Sequence, residues 1–189
     1  MKRLILFFLF VSVIVSQEYH VDKTKDNLVK FISDAPLEDF EGVTNSIDGY
    51  MYLKSVEDLN DNQLYFEVDL TTLDTGIELR NRHMRDNYLE TEKYRFTFFE
   101  GRISRIEKTS EQKYSVEVNG TLFIHGVTNE INVQGVLTSA DYGYLVESEF
   151  TVALSDYKID IPQLMFMKIN EEMKLQLRFH LEKIVRPEE

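Results

Sequence analysis

MKLQLRFHL, Met173 to Leu181, is the stretch on which the fold turns. Met173, Leu175, Leu177, Phe179 and Leu181 take every second position, with Lys174, Gln176, Arg178 and His180 between them. A period of two sends successive side chains to opposite faces of an extended strand, here one apolar and one wet. The pattern recurs upstream. Leu64, Phe66, Val68 and Leu70 alternate with Tyr65, Glu67 and Asp69, and Tyr94, Phe96 and Phe98 with Arg95 and Thr97. Tyr114, Val116 and Val118 form a further run, as do Val146, Ser148, Phe150, Val152 and Leu154. Turn-forming clusters separate the runs, among them Asn60-Asp61-Asn62, Ser139-Ala140-Asp141 and Asn170-Glu171. The chain therefore reads as all-β and antiparallel, each strand with one buried face. About eight such strands pair as a two-sheet sandwich or close as a barrel, and alternation alone does not choose.

The first residues set an expectation about compartment. Lys2 and Arg3 precede an apolar run from Leu4, ending in Val15 and Ser16. A basic start, roughly a dozen apolar residues and a small residue at the end are the pattern of a secretory leader. The run falls short of the ~20 residues that a bilayer crossing needs. Residues 1–16 are thus expected to be cleaved, leaving 17–189 as one domain without a transmembrane anchor, periplasmic or secreted. The chain has no Cys, which excludes both disulfide stapling and a lipid-anchored N-terminus. Acidic residues outnumber basic ones, 33 to 21, for a formal net charge of −12. That balance argues against nucleic acid, whose phosphates demand Lys and Arg.

Against this acidity, Arg80, Arg82, His83 and Arg85 fall within six positions. They belong to the one short helix expected, after Gly76. Thr75 and Glu78 have the spacing of a capping box, and Ile77, Asn81, Met84 and Tyr88 share a face. Glu78, Arg82 and Asp86 form a charge ladder that accounts for Arg82. Arg80, His83 and Arg85 are left as candidates for binding a polar head group. The competing reading is that they pin the loop through hydrogen bonds to nearby carbonyls and carboxylates.

Catalytic and metal signals are weak. The four histidines, at 20, 83, 125 and 180, show no HExxH or i, i+4 pair, so no metal site is expected. Asp58 to Asp69 starts like a calcium loop but has Gln63 where glycine is required. No GxSxG and no nucleophile–base pair appear, so the chain is not expected to be an enzyme. The rival is an enzyme on a lipid-like substrate using His125 or His83 as base.

Two blocks of sequence resemble the YceI family. TLDTGIELRNRHMRDNYLETEKYRFTF matches its signature region through Asp74, Thr75, Gly76, Arg80, His83, Arg85, Glu92, Lys93, Tyr94, Thr97 and Phe98. VNGTLFIHGVTNEINV is similar to the second block through Gly120, Leu122, Ile124, His125, Gly126, Val127 and Thr128. FTVALSDYKI resembles a third. Departures are Arg95 for proline, Asn81 for aspartate, Phe123 for threonine, Leu154 for arginine and Lys158 for glycine. The last two suggest a different ligand head.

The resemblance implies an exported, lipocalin-like antiparallel barrel holding a polyisoprenoid, an isoprenoid quinone or a fatty-acyl chain, with no cofactor and no reaction. A forty-carbon tail would be held strongly, at roughly 0.8 kcal/mol per buried CH₂. The expected lining is Phe66, Val68, Phe96, Phe98, Val116, Phe150, Leu175, Leu177 and Phe179, each with an equal reading as ordinary core. A stress-related, non-lipid module with a barrel filled by its own Phe and Tyr is the other alternative. A homodimer paired along an exposed strand edge is a further expectation.

Overall fold

A computed structural model describes residues 17–33, 39–161, 163–164 and 167–185. The expected leader, 1–16, lies outside the described residues. The strands are β1 (Gln17–Val21), β2 (Leu28–Ser33), β3 (Phe40–Thr44), β4 (Ile47–Leu53), β5 (Gln63–Asp69), β6 (Phe96–Lys108), β7 (Lys113–Ile124), β8 (Val127–Ala140) and β9 (Gly143–Ala153). Two-residue strands β10 (Gln163–Leu164) and β11 (Met167–Lys168) pair with each other, and β12 (Glu172–Lys183) follows. One helix, α1 (Glu78–His83), continues as a π-helical turn over Met84–Tyr88.

The choice between sandwich and barrel is settled by one pairing. The sheet runs β1-β4-β5-β6-β7-β8-β9-β12, and β12 pairs back onto β1, closing eight antiparallel positions. β12 serves two partners. Its C-terminal part, Leu181–Lys183, pairs with β1, and Met173–Arg178 pairs with β2. β1 and β2 are therefore one interrupted wall strand. Asn27, 3% exposed, patches the interruption: its amide donates to the Asp22 carbonyl at 2.9 Å and accepts from the His180 N–H at 3.0 Å. Asn62 does the same at the bulge in β6, accepting from the Ile103 N–H at 2.6 Å and donating to its carbonyl at 3.0 Å. Without these amides a buried ladder would carry unpaired backbone groups.

The alternation quoted above decides the inner face. Met173, Phe179 and Leu181 are buried, as are Leu64, Val68, Val116 and Val118. β6 departs from it. β5 fixes its register by pairing Phe66 with Phe99 and Glu67 with Phe98, so Thr97, Phe99 and Ile103 face inward. Phe96 and Phe98 lie on the outer face, contrary to the run Tyr94, Phe96, Phe98. Adjacent phenylalanines 98 and 99 make either parity look apolar, and a slip of one residue exchanges the faces.

Candidate functional site

The inner faces enclose a cavity of about 720 Å³. The structure places Phe66, Val68, Val116, Phe150, Leu175, Leu177 and Phe179 along it. Phe98 borders it too, but its ring belongs to an outer stack, 4.7 Å from Phe123 and 6.0 Å from Tyr65. Phe96 is a correction. It is 39% exposed, lies outside the cavity wall, and carries the Arg95 guanidinium 5.1 Å over its ring. Phe99 takes its place. Its ring lies where a Cβ on Gly120 would stand, 2.6 Å away, while the Glu100 carbonyl would be 2.2 Å from that Cβ. Only glycine fits there.

Sequence reasoning missed much of the wall. Val29 and Phe31 of β2, Ile47 and Met51 of β4, and Val133 and Leu137 of β8 all contribute. Each obeys period two, but short strands and a glycine at position 49 or 135 thin the signal.

One end of the barrel is closed. Beyond Met51, Ile103, Val116 and Leu181, the same buried cluster continues through Tyr19, Leu53, Val56, Leu59, Tyr114 and Tyr144, none of which borders the cavity. Tyr19 and Tyr144 meet with ring centroids 5.2 Å apart, and burial pushes both hydroxyls up from their ordinary value. At the opposite end lies the segment after Gly76. Arg80, His83, Met84, Tyr88 and Leu89 border the cavity from it, and Ile77 and Leu79 stand at the rim, 51% and 56% exposed.

This lid is held by a polar knot that differs from the expected capping box. The α1 N-terminus at Ile77 has no side-chain cap. Thr75 is committed elsewhere: its hydroxyl donates to Asn81 Oδ1 at 2.7 Å and accepts from Arg80 Nε at 2.9 Å. Arg80 also donates to the Thr75 carbonyl at 2.7 Å, with its guanidinium 4.7 Å over the Phe40 ring. Asn81, 5% exposed, donates to the Asp74 carboxylate at 2.7 Å. That bond and the Gly76 N–H hold the Asp74 carboxyl below its ordinary range. The expected Glu78–Arg82 pairing is replaced by Arg85, which reaches Glu78 at 3.3 Å and does not border the cavity. Of the three head-group candidates, Arg80 and Arg85 are engaged in pinning the lid. His83 is exposed at the rim, without a hydrogen-bond or ion-pair partner among the described residues.

The β7–β8 turn anchors the lid's far end. His125 and Gly126 both have positive φ, 50° and 79°, as a type I′ hairpin turn requires. His125 Nδ1 lies 3.2 Å from the Tyr157 carbonyl and Nε2 2.8 Å from the Glu90 carboxylate. Its ring also packs edge-on to Tyr94 at 4.9 Å. Two departures find local explanations. Lys158 sits at φ 55°, a conformation that favours glycine. Leu154 borders the cavity, so an apolar group stands where the family pattern has a cation.

Two hydroxyls along the cavity wall are spent on backbone carbonyls, while the buried Ser33 hydroxyl, two residues beyond Phe31 on β2, has no partner among the described residues. Thr97 Oγ1 donates to the Phe123 carbonyl at 2.6 Å and Ser148 Oγ to the Gln134 carbonyl at 2.7 Å. A closed antiparallel barrel, blind at one end and lidded at the other around an apolar cavity, defines the class of lipocalin-like barrels. Within that class the chain belongs to the YceI family: the YceI-like domain model matches residues 19–181. BcnA of Burkholderia cenocepacia shares the fold at a TM-score of 0.70 and 16% identity, over 84% of this chain and 98% of that one. A polyisoprenoid binding domain from Saccharophagus degradans gives 0.69 at 16% identity, over 88% and 98%. The Campylobacter jejuni YceI protein gives 0.58 at 16%, over 77% and 85%. No curated protein matches the chain in sequence.

Proposed function

We propose that the protein binds the hydrocarbon tail of a long-chain amphiphile, an isoprenoid lipid or quinone, inside the barrel, as a carrier or store and without catalysing a reaction. The carrying observation is the apolar cavity of about 720 Å³, along whose wall the Thr97 and Ser148 hydroxyls are already spent on backbone carbonyls. A polar head placed deep inside would lose its water without gaining a partner. An apolar chain gains roughly 0.8 kcal/mol per buried CH₂. The tail therefore points inward and the head lies at the rim beside His83. Family membership supports this reading, as does the structural neighbour described as a polyisoprenoid binding domain. The same cavity speaks against a barrel filled by its own aromatic side chains.

The absence of a reaction is part of the proposal. His125 has both ring nitrogens engaged in holding the lid, and His83 has no carboxylate against it among the described residues. Export is proposed as well, resting on the leader pattern in 1–16. The test is uptake of an isoprenoid quinone by delipidated protein, measured at low and high salt. Saturable binding that persists at high salt is expected, because burial of the tail dominates. Binding abolished by salt, or none at either ionic strength, would contradict it.

A further inference from the structure

The geometry points to a tail-length limit: the cavity is a blind sleeve whose floor, built around Tyr144 and Tyr19, stops a chain that reaches it. This rests on the proposal that a hydrocarbon tail occupies the barrel. It goes beyond it by naming what sets the length.

Two observations carry it. The first is the volume. The cavity is finite, about 720 Å³, and each methylene that enters takes a share of it. The second is the floor. The cavity ends at Met51, Ile103, Val116 and Leu181, with Leu181 0% and Met51 1% exposed. Behind them Tyr144 pairs with Leu181 across β9 and β12, and its ring packs against Tyr19. Leu53, 1% exposed, belongs to the same cluster. A tail entering past Ile77 and Leu79 runs the apolar length of the sleeve and meets packed rings. Such interiors lack gaps into which another carbon could slide.

The experiment measures affinity of the delipidated protein for geraniol, farnesol, geranylgeraniol and the far longer solanesol. Each methylene buried inside the sleeve tightens binding by about fourfold. Affinity should therefore climb steeply with length until the tail reaches the floor and then level off, solanesol gaining far less than its added carbons would give if all were buried. Tyr144→Ala should open the floor and move the plateau to longer chains. Val116→Phe takes space from the sleeve and should move it the other way, to shorter chains. It also carries the test should Tyr144→Ala fail to fold. Affinity that keeps climbing to solanesol, or one length profile shared by all three proteins, overturns the floor while leaving tail binding intact. Failure of every alcohol to bind overturns both.

Discussion

Asn81 shows how one amide can reorganise a motif. Its side-chain oxygen accepts from the Thr75 N–H and hydroxyl while its nitrogen donates to Asp74. An aspartate there would keep the first role but confront Asp74 with a second carboxylate. Asn81→Asp is expected to cost about 1–3 kcal/mol near neutral pH, the range for breaking a buried hydrogen-bond pair, with partial recovery on mild acidification. Thermal melts at two pH values check this, and an unchanged melting temperature would remove the knot from the account. Asp69 supplies a second pH handle. Burial works to raise its carboxyl, but hydrogen bonds from Arg95 and Thr71 outweigh that and hold it below the ordinary value. A lowered carboxyl stabilises the fold above the unfolded value, ~3.9, and that contribution is lost as pH falls through the folded one. Arg95→Ala should lower stability at neutral pH and flatten the loss below pH ~4. An acid-unfolding curve parallel to that of the parent protein would contradict this.

At the scale of elements, strands were legible wherever alternation was long and clean. β5, β7, β9 and β12 follow from their period-two runs. β6 was legible as a strand but not in its facing, because Phe96, Phe98 and Phe99 satisfy either parity until β5 fixes the pairing. The capping box failed for a tertiary reason: Thr75 has better partners in Asn81 and Arg80 than in the helix end. The lid's second anchor was invisible, since His125 and Glu90 lie 35 positions apart. His125→Ala removes that tie at a cost of about 0.5–1.5 kcal/mol. Amide hydrogen exchange across Met84–Thr91 should accelerate by up to about tenfold, with strand amides little changed. Equal acceleration throughout the barrel would show instead that His125 supports the whole fold.

At the scale of the molecule, the decisive facts are closure and hollowness, and neither is local. Barrel over sandwich depends on Val21 meeting Leu181 across nearly the whole chain, which no window of sequence displays. Hollowness depends on how far facing side chains reach: at the floor tyrosines meet, while above them Gly135 and Ser148 leave room. The sequence lists apolar inner faces but not the gap between them. Native mass spectrometry of protein purified from its own host tests the central claim most directly. A bound increment of lipid mass, released on collisional heating and restored by added prenyl lipid, is the predicted result. A bare chain that stays bare after exposure to prenyl lipids would contradict the account.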